Sequence, residues 1–293
     1  MPSLKEFINL NPIQIFSDYF SLGKKIERLL NDNTLIAKRK INVALLASSS
    51  INGYKETIQV LSGEQDIHAN IYVSDYNQYA QEILNSESDF YKSCPDIVMI
   101  NIDIRAIANN YLLSASSKLN EDRRKWFEET SEFLSNMAEE VTKNINAKVI
   151  LHNLEVPIYS PNGLVENKEA YGFLESVEDV NRFLRKKFKN NNQVYIFDYD
   201  SFCSRYGKRN VFDYKMYYLG DIKLKPKYIP YLGKEYLRYI KALASYPKKC
   251  IVLDLDNTLW GGVVGEIGIE KIQLGPTPEG RPFLEFQECL LSL

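Results

Sequence analysis

The chain has 293 residues, of which 45% are hydrophobic and 25% charged, the balance of a soluble globular protein with enough apolar material for a sizeable core. A formal net charge of −2 gives no overall nucleic-acid or membrane signal, so neither partner is expected.

The four cysteines, Cys94, Cys203, Cys250 and Cys289, are widely separated and form no metal-binding spacing. They read as reduced, buried thiols of a cytoplasmic protein. The start, Met1-Pro2-Ser3-Leu4-Lys5-Glu6-Phe7, lacks the apolar stretch of a secretory signal. No segment approaches the roughly 18 uninterrupted apolar residues of a membrane span.

Residues 1–40 read as a helical segment, with apolar stripes at Phe16, Tyr19 and Phe20 and at Ile26, Leu29 and Leu30. Lys38-Arg39-Lys40 reads as a solvated approach to the first strand. From residue 41 strands alternate with helices. Strands are expected over 41–46, 67–73, 96–102, 148–151 and 194–197. Helices are expected over 54–61, around Tyr76–Leu84, and over 121–145, 177–188 and 231–244. The alternation predicts βαβ units and a parallel sheet over 41–246. Pro247 marks a linker into a last segment, 247–293.

The carboxyl ends of parallel strands line the ligand crevice of such a sheet. In chain order they carry Ser48 to Asn52, Ser74-Asp75, Asn101 and Asp103 with Arg105, His152-Asn153 with Glu155, and Asp198 with Asp200. The run Ser48-Ser49-Ser50 reads either as a nucleophile position or as a polar turn capping the next helix. Arg105 and Lys223 are candidates to meet phosphate or carboxylate groups, or else surface ion pairs. His152 ends an apolar strand and reads as a core histidine; His68 reads as structural.

The last segment carries the densest chemistry. The apolar run Cys250 to Leu253 reads as a buried parallel strand that ends at Asp254, Asp256 and Thr258, with Gly261 and Gly262 just beyond. Two carboxylates at a strand end suit Mg²⁺ and phosphoryl chemistry. Asp254 is the candidate nucleophile, Asp256 the candidate general acid/base, both are candidate metal ligands, and Thr258 is the candidate loop or substrate holder. Pro282 with Phe283, Phe286, Leu290 and Leu293 predicts a closing amphipathic helix.

Strand-Asp-x-Asp-x-Thr resembles the first motif of the haloacid dehalogenase (HAD) superfamily. The longer string from Leu253 to Glu266, with Trp260-Gly261-Gly262, is similar to the HAD domain of FkbH-like proteins, which follows a domain like the SGNH esterases. The resemblance implies an α/β, three-layer SGNH- or flavodoxin-like domain over 41–246. After it would come the first strand and helix of a HAD-like domain over 247–293. It further implies Mg²⁺-dependent transfer of a glyceryl unit from bisphosphoglycerate, a phosphorylated small molecule, to an acyl carrier protein. The second-motif Ser/Thr, third-motif Lys and final acidic cluster of that superfamily are not found after Glu266, so the chain is expected to be a fragment.

The first domain resembles SGNH hydrolases in layout, with Ser49 or Ser50 near the nucleophile and Asn101 to Asp103 near the third block. It departs in lacking Gly-Asp-Ser. In Gly220-Asp221-Ile222-Lys223-Leu224, a Leu stands where the late His belongs. The alternatives are therefore a binding module for a carrier protein or acyl substrate, or a weak esterase.

Overall fold

The computed structural model describes residues 1–11, 13–108, 120–243 and 250–293, and divides into two compact units, Met1–Ser245 and Tyr246–Leu293. The Pro247 linker lies outside the described residues.

The first unit is a five-stranded parallel sheet in the order β2-β1-β3-β4-β5. The strands are β1 (Arg39–Ala47), β2 (Ile67–Val73), β3 (Ile97–Asn101), β4 (Lys148–His152) and β5 (Val194–Phe197). The first unit's α-helices of five or more residues among those described are α1 (Leu4–Asn9), α2 (Phe16–Asn31), α3 (Tyr54–Gly63), α4 (Tyr79–Leu84), α5 (Ile104–Ala108), α6 (Asn120–Asn144), α7 (Phe173–Phe188), α8 (Tyr199–Tyr206), α9 (Tyr214–Gly220) and α10 (Ile229–Leu243).

The inner strands are continuous apolar runs because parallel strands are covered on both faces. Val43 to Ala47 of β1, Ile97 to Ile100 of β3 and Val149 to Leu151 of β4 are buried throughout. Registers such as Leu45↔Met99 and Met99↔Ile150 bring the carboxyl ends of β1, β3 and β4 to one edge. One core cluster packs Leu134, Met137 and Val141 of α6 with Val177, Val180 and Leu184 of α7. Burying each such side chain stabilises the fold by roughly 1.5–3 kcal/mol. Among the described residues no helix is long and apolar enough to cross a membrane.

Three expectations are corrected. Ser48-Ser49-Ser50 does not cap α3: the N-cap is Gly53, with no side-chain hydrogen bond. Of the four thiols only Cys203 is buried; Cys94, Cys250 and Cys289 are exposed free cysteines. Cys250 to Leu253 is neither a strand nor buried, with Val252 90% exposed. A strand exists only through the ladder of a neighbour, and no neighbour pairs with this run among the described residues.

The second unit is a loop with a helical turn at Val264–Ile267 and a 3₁₀ turn at Ile269–Lys271, followed by α11 (Arg281–Leu291), whose first turn carries Pro282 as expected. A short antiparallel bridge joins Gly261 to Gln273.

Candidate functional site

The carboxyl edge of the first unit is organised around one buried lysine. Asp103 follows β3, Glu155 follows β4, and Lys223 lies in the segment after α9. Lys223 Nζ donates to Asp103 Oδ2 at 2.6 Å and to Glu155 Oε2 at 2.7 Å, with all three side chains buried. Ser48 Oγ accepts from the Asp103 amide at 2.7 Å, and the Tyr217 hydroxyl donates to Asp103 Oδ1. Removing one member of such a buried set leaves an unpaired charge and costs about 3–5 kcal/mol.

The electrostatics separate the two carboxylates. Burial opposes the Asp103 charge, but Lys223 and Tyr217 outweigh it and hold Asp103 below the usual aspartate range. For Glu155 burial dominates over Lys223, and its carboxyl lies above the usual glutamate range. Burial also opposes the Lys223 charge, yet Asp103 and Glu155 together raise it well above the ordinary lysine value. A lysine held protonated cannot take a proton from a serine. Lys223 therefore does not replace the missing histidine as a base, and its charge is already shared by two carboxylates.

Ser49 and Ser50 are half-buried beside this set. Ser50 Oγ donates to the Gly220 carbonyl at 3.0 Å, which ties it to the end of α9. Ser49 lines a cavity of about 180 Å³ with Tyr76, Asp103, Arg105 and Asp221. Asn101 is half-buried, and its carbonyl accepts from the Ser48 amide at 3.1 Å. Arg105 is exposed and reaches Asp221 Oδ1 at 3.4 Å, while its guanidinium lies 5.1 Å from the Tyr217 and Tyr218 rings. Both sequence candidates for an anion contact, Arg105 and Lys223, thus already hold carboxylates of this chain.

His152 is fully buried among Phe197, Tyr199 and Tyr236, with its Nε2 2.8 Å from the Tyr236 hydroxyl. Among the described residues no imidazole is hydrogen-bonded to Ser49 or Ser50. The edge thus brings together Ser49, Ser50, Asn101, Asp103 and Arg105. It adds Glu155 as the partner of Lys223, a pairing invisible in sequence because 68 residues separate them.

In the second unit Asp254 is exposed, with its Oδ1 accepting from the Leu255 amide at 2.8 Å. Asp256 is half-buried. Its Oδ1 accepts from the Trp260 indole at 3.0 Å and from the Val264 amide at 3.2 Å, leaving Oδ2 for other chemistry. The turn that follows Asp256 is tight: Asn257 takes φ 55°, its side chain accepts from the Gly262 amide at 2.8 Å, and Gly262 takes φ 98°. That last angle is the left-handed one that favours glycine. Thr258 is half-buried, with its amide 3.3 Å from the Leu255 carbonyl.

Hard carboxylate oxygens at Asp254 and Asp256 suit Mg²⁺, which takes one or two carboxylates together with water and phosphate. Among the described residues no group of three or more His, Cys, Asp or Glu converges on a metal position.

The sequence pattern of the FkbH N-terminal domain matches residues 42–241. Among solved structures, the N-terminal part of a Bacteroides fragilis protein, containing a phosphatase domain complexed with Mg, is similar at TM-score 0.78 and 24% identity. The likeness covers 96% of this chain and 71% of that one. It is a likeness of fold. A lipase from a goat rumen metagenome matches at TM-score 0.49 and 12% identity, over 71% of this chain and 99% of that one. An acetyl-xylooligosaccharide esterase variant from Geobacillus matches at TM-score 0.45 and 14% identity, over 70% and 95%. No curated protein matches the sequence. With two thirds of its length under that pattern and a five-stranded parallel sheet beneath it, the chain belongs to the FkbH N-terminal domain family.

Proposed function

We propose that the protein carries out Mg²⁺-dependent phosphoryl chemistry at Asp254 and Asp256, as a phosphatase or acyl-phosphate transferase. A glyceryl-type acyl unit delivered to an acyl carrier protein is the transfer this reading favours. The observation that carries it is the pair itself. Asp254 presents an exposed carboxylate, and two residues on, Asp256 is held by Trp260 and Val264 through one oxygen only.

In this reading an Asp254 oxygen attacks phosphorus, the bond to the leaving oxygen breaks, and an aspartyl-phosphate forms. Asp256 gives the leaving oxygen its proton from Oδ2 and then takes one from the attacking water, which cleaves the aspartyl-phosphate to inorganic phosphate. In the acyl-transfer variant the carrier thiol attacks the acyl carbonyl carbon instead, the C–O bond to phosphate breaks, and phosphate leaves. Mg²⁺, held by Asp254 and Asp256, would offset the negative charge on the phosphoryl oxygens. Thr258 steadies the turn from which both aspartates project.

The first unit serves as a binding module. The specific observation is the pairing of Lys223: a charged lysine gives Ser49 no base, and a serine without one is a weak nucleophile.

The test is release of phosphate from acetyl phosphate by the protein expressed from its complete gene. Asp254→Asn is expected to lower the Mg²⁺-dependent rate on the order of 10³-fold or more, as loss of a covalent nucleophile does. Unchanged Mg²⁺-dependent release in that variant would remove Asp254 from the chemistry.

A further inference from the structure

We propose that the first unit holds a binding site for a neutral, hydroxyl-rich ring of monosaccharide size, against the buried Glu155–Lys223 pair. A cavity of about 390 Å³ lies there, within the range of small-molecule sites, roughly 300–1,000 Å³. Its walls are the rings of Tyr159, Tyr214, Tyr217, Tyr218 and Phe212, and its floor is Glu155 and Lys223.

The floor is a built polar site. Glu155 is 6% exposed and Lys223 8%. Glu155 Oε2 holds Lys223 at 2.7 Å. Among the described residues no hydrogen bond reaches Glu155 Oε1. An acceptor thus stands beside an ammonium donor at hydrogen-bond spacing. A hydroxyl suits that pair because it donates to one and accepts from the other. Groups that only donate or only accept satisfy half of it.

Charge selects against ions of either sign. Lys223 and Arg105 repel a cation, and Arg105 already lies over the Tyr217 and Tyr218 rings, as Arg209 does over Tyr159 at 5.3 Å. Glu155 repels an anion, while Lys223 is engaged by two carboxylates. Counted with their partners, the formal charges of Arg105, Lys223 and Arg209 balance those of Asp103, Glu155 and Asp221. A neutral ligand is left, and flat tyrosine rings match the C–H face of a sugar ring. A guanidinium takes one face of Tyr218 and of Tyr159, and at 74% and 65% exposure the rings still offer surface to a ligand.

Saturation-transfer NMR and calorimetry on the 293-residue chain test this with methyl glycosides of the common hexoses and pentoses. Choline and inorganic phosphate are the charged controls. At least one neutral glycoside is expected to bind, and neither control. Tyr214→Ala and Tyr218→Ala, both at exposed positions that leave the core intact, should each weaken binding by about 3- to 10-fold. Glu155→Gln, checked for folding by its melting transition, should weaken it further. No binding by any glycoside, binding by choline or phosphate alone, or unchanged affinity in both tyrosine variants would overturn the proposal. Asp254→Asn should bind glycoside normally, so the phosphoryl reading and this one fail separately.

Discussion

His152 shows how one buried side chain couples the fold to pH. Its ring is 1% exposed, Nε2 meets Tyr236, and Nδ1 has no hydrogen-bond partner among the described residues. Burial pushes its pKa from the ordinary 6.5 down to about 3. The native state therefore keeps His152 neutral, while the unfolded chain takes up a proton below 6.5. The contribution is fully present above pH 6.5 and is lost progressively as pH falls toward 3. Its limiting slope is about 1.4 kcal/mol per pH unit. Only His68 shares this residue type, and burial lowers its pKa as well. Urea midpoints between pH 7 and 5 should fall with pH in the wild-type chain and fall distinctly less in His152→Gln. Equal slopes would mean that His152 titrates alike in both states. At this scale the sequence reveals neighbours and hides distant partners. Asp254 and Asp256 are legible as neighbours in the sequence itself, two residues apart. The set of Asp103, Glu155 and Lys223 is not, because its members lie 120 and 68 residues apart and only the folded edge assembles them.

Helix α2 crosses α3 so closely that it requires a residue without Cβ. A Cβ on Gly23 would stand 2.6 Å from Glu56 Cβ and 2.7 Å from Glu56 Cα, atoms fixed to the α3 backbone. Alanine gains about 1 kcal/mol of intrinsic helix preference over glycine. Forcing the two helices apart costs about 1–3 kcal/mol. The clash outweighs the gain over most of that range, and Gly23→Ala is expected to lower stability by up to ~2 kcal/mol in urea unfolding with an unchanged slope. Gly220→Ala, with open space around the position, should stay within about 0.5 kcal/mol. A Gly23→Ala chain as stable as wild type would show that the crossing relaxes freely. The same elements explain what sequence patterning reads well. β2 and β5, the two edge strands, have the expected bounds, 67–73 and 194–197: β2 alternates buried Ile67, Ala69 and Ile71 with more exposed His68, Asn70 and Tyr72, and β5 is a short apolar run. The order β2-β1-β3-β4-β5 is invisible in that pattern, since a buried run looks alike at any place in the sheet. Ser48 to Ser50 read as a cap because serine caps helices, yet Ser48 is engaged by the Asp103 amide and Ser50 by Gly220.

Across the whole molecule, the apolar core and the strongest motif lie in different units. The buried hydrophobic residues among those described run from Leu4 to Ile240, all within the first unit. The motif around Asp254 stands in the second, where Ile251, Val252 and Leu255 are each more than half exposed. The sequence reading of Cys250 to Leu253 as a core strand rested on its apolar character, and apolar character makes a strand only where a partner and a covering layer exist. Local stability follows buried contacts and protected hydrogen bonds. In this chain the amides of Val252, Leu253 and Asp254 should exchange with solvent at nearly the rate of an open peptide. Those of Leu46, Ile100 and Leu151, at the centre of the sheet, should exchange only through global unfolding. Hydrogen exchange read by mass spectrometry or NMR distinguishes the two classes. Protection at Val252 and Leu253 as strong as at Ile100 would show that this run has found a ladder after all. The aspartates would then project from a rigid strand end instead of an open loop.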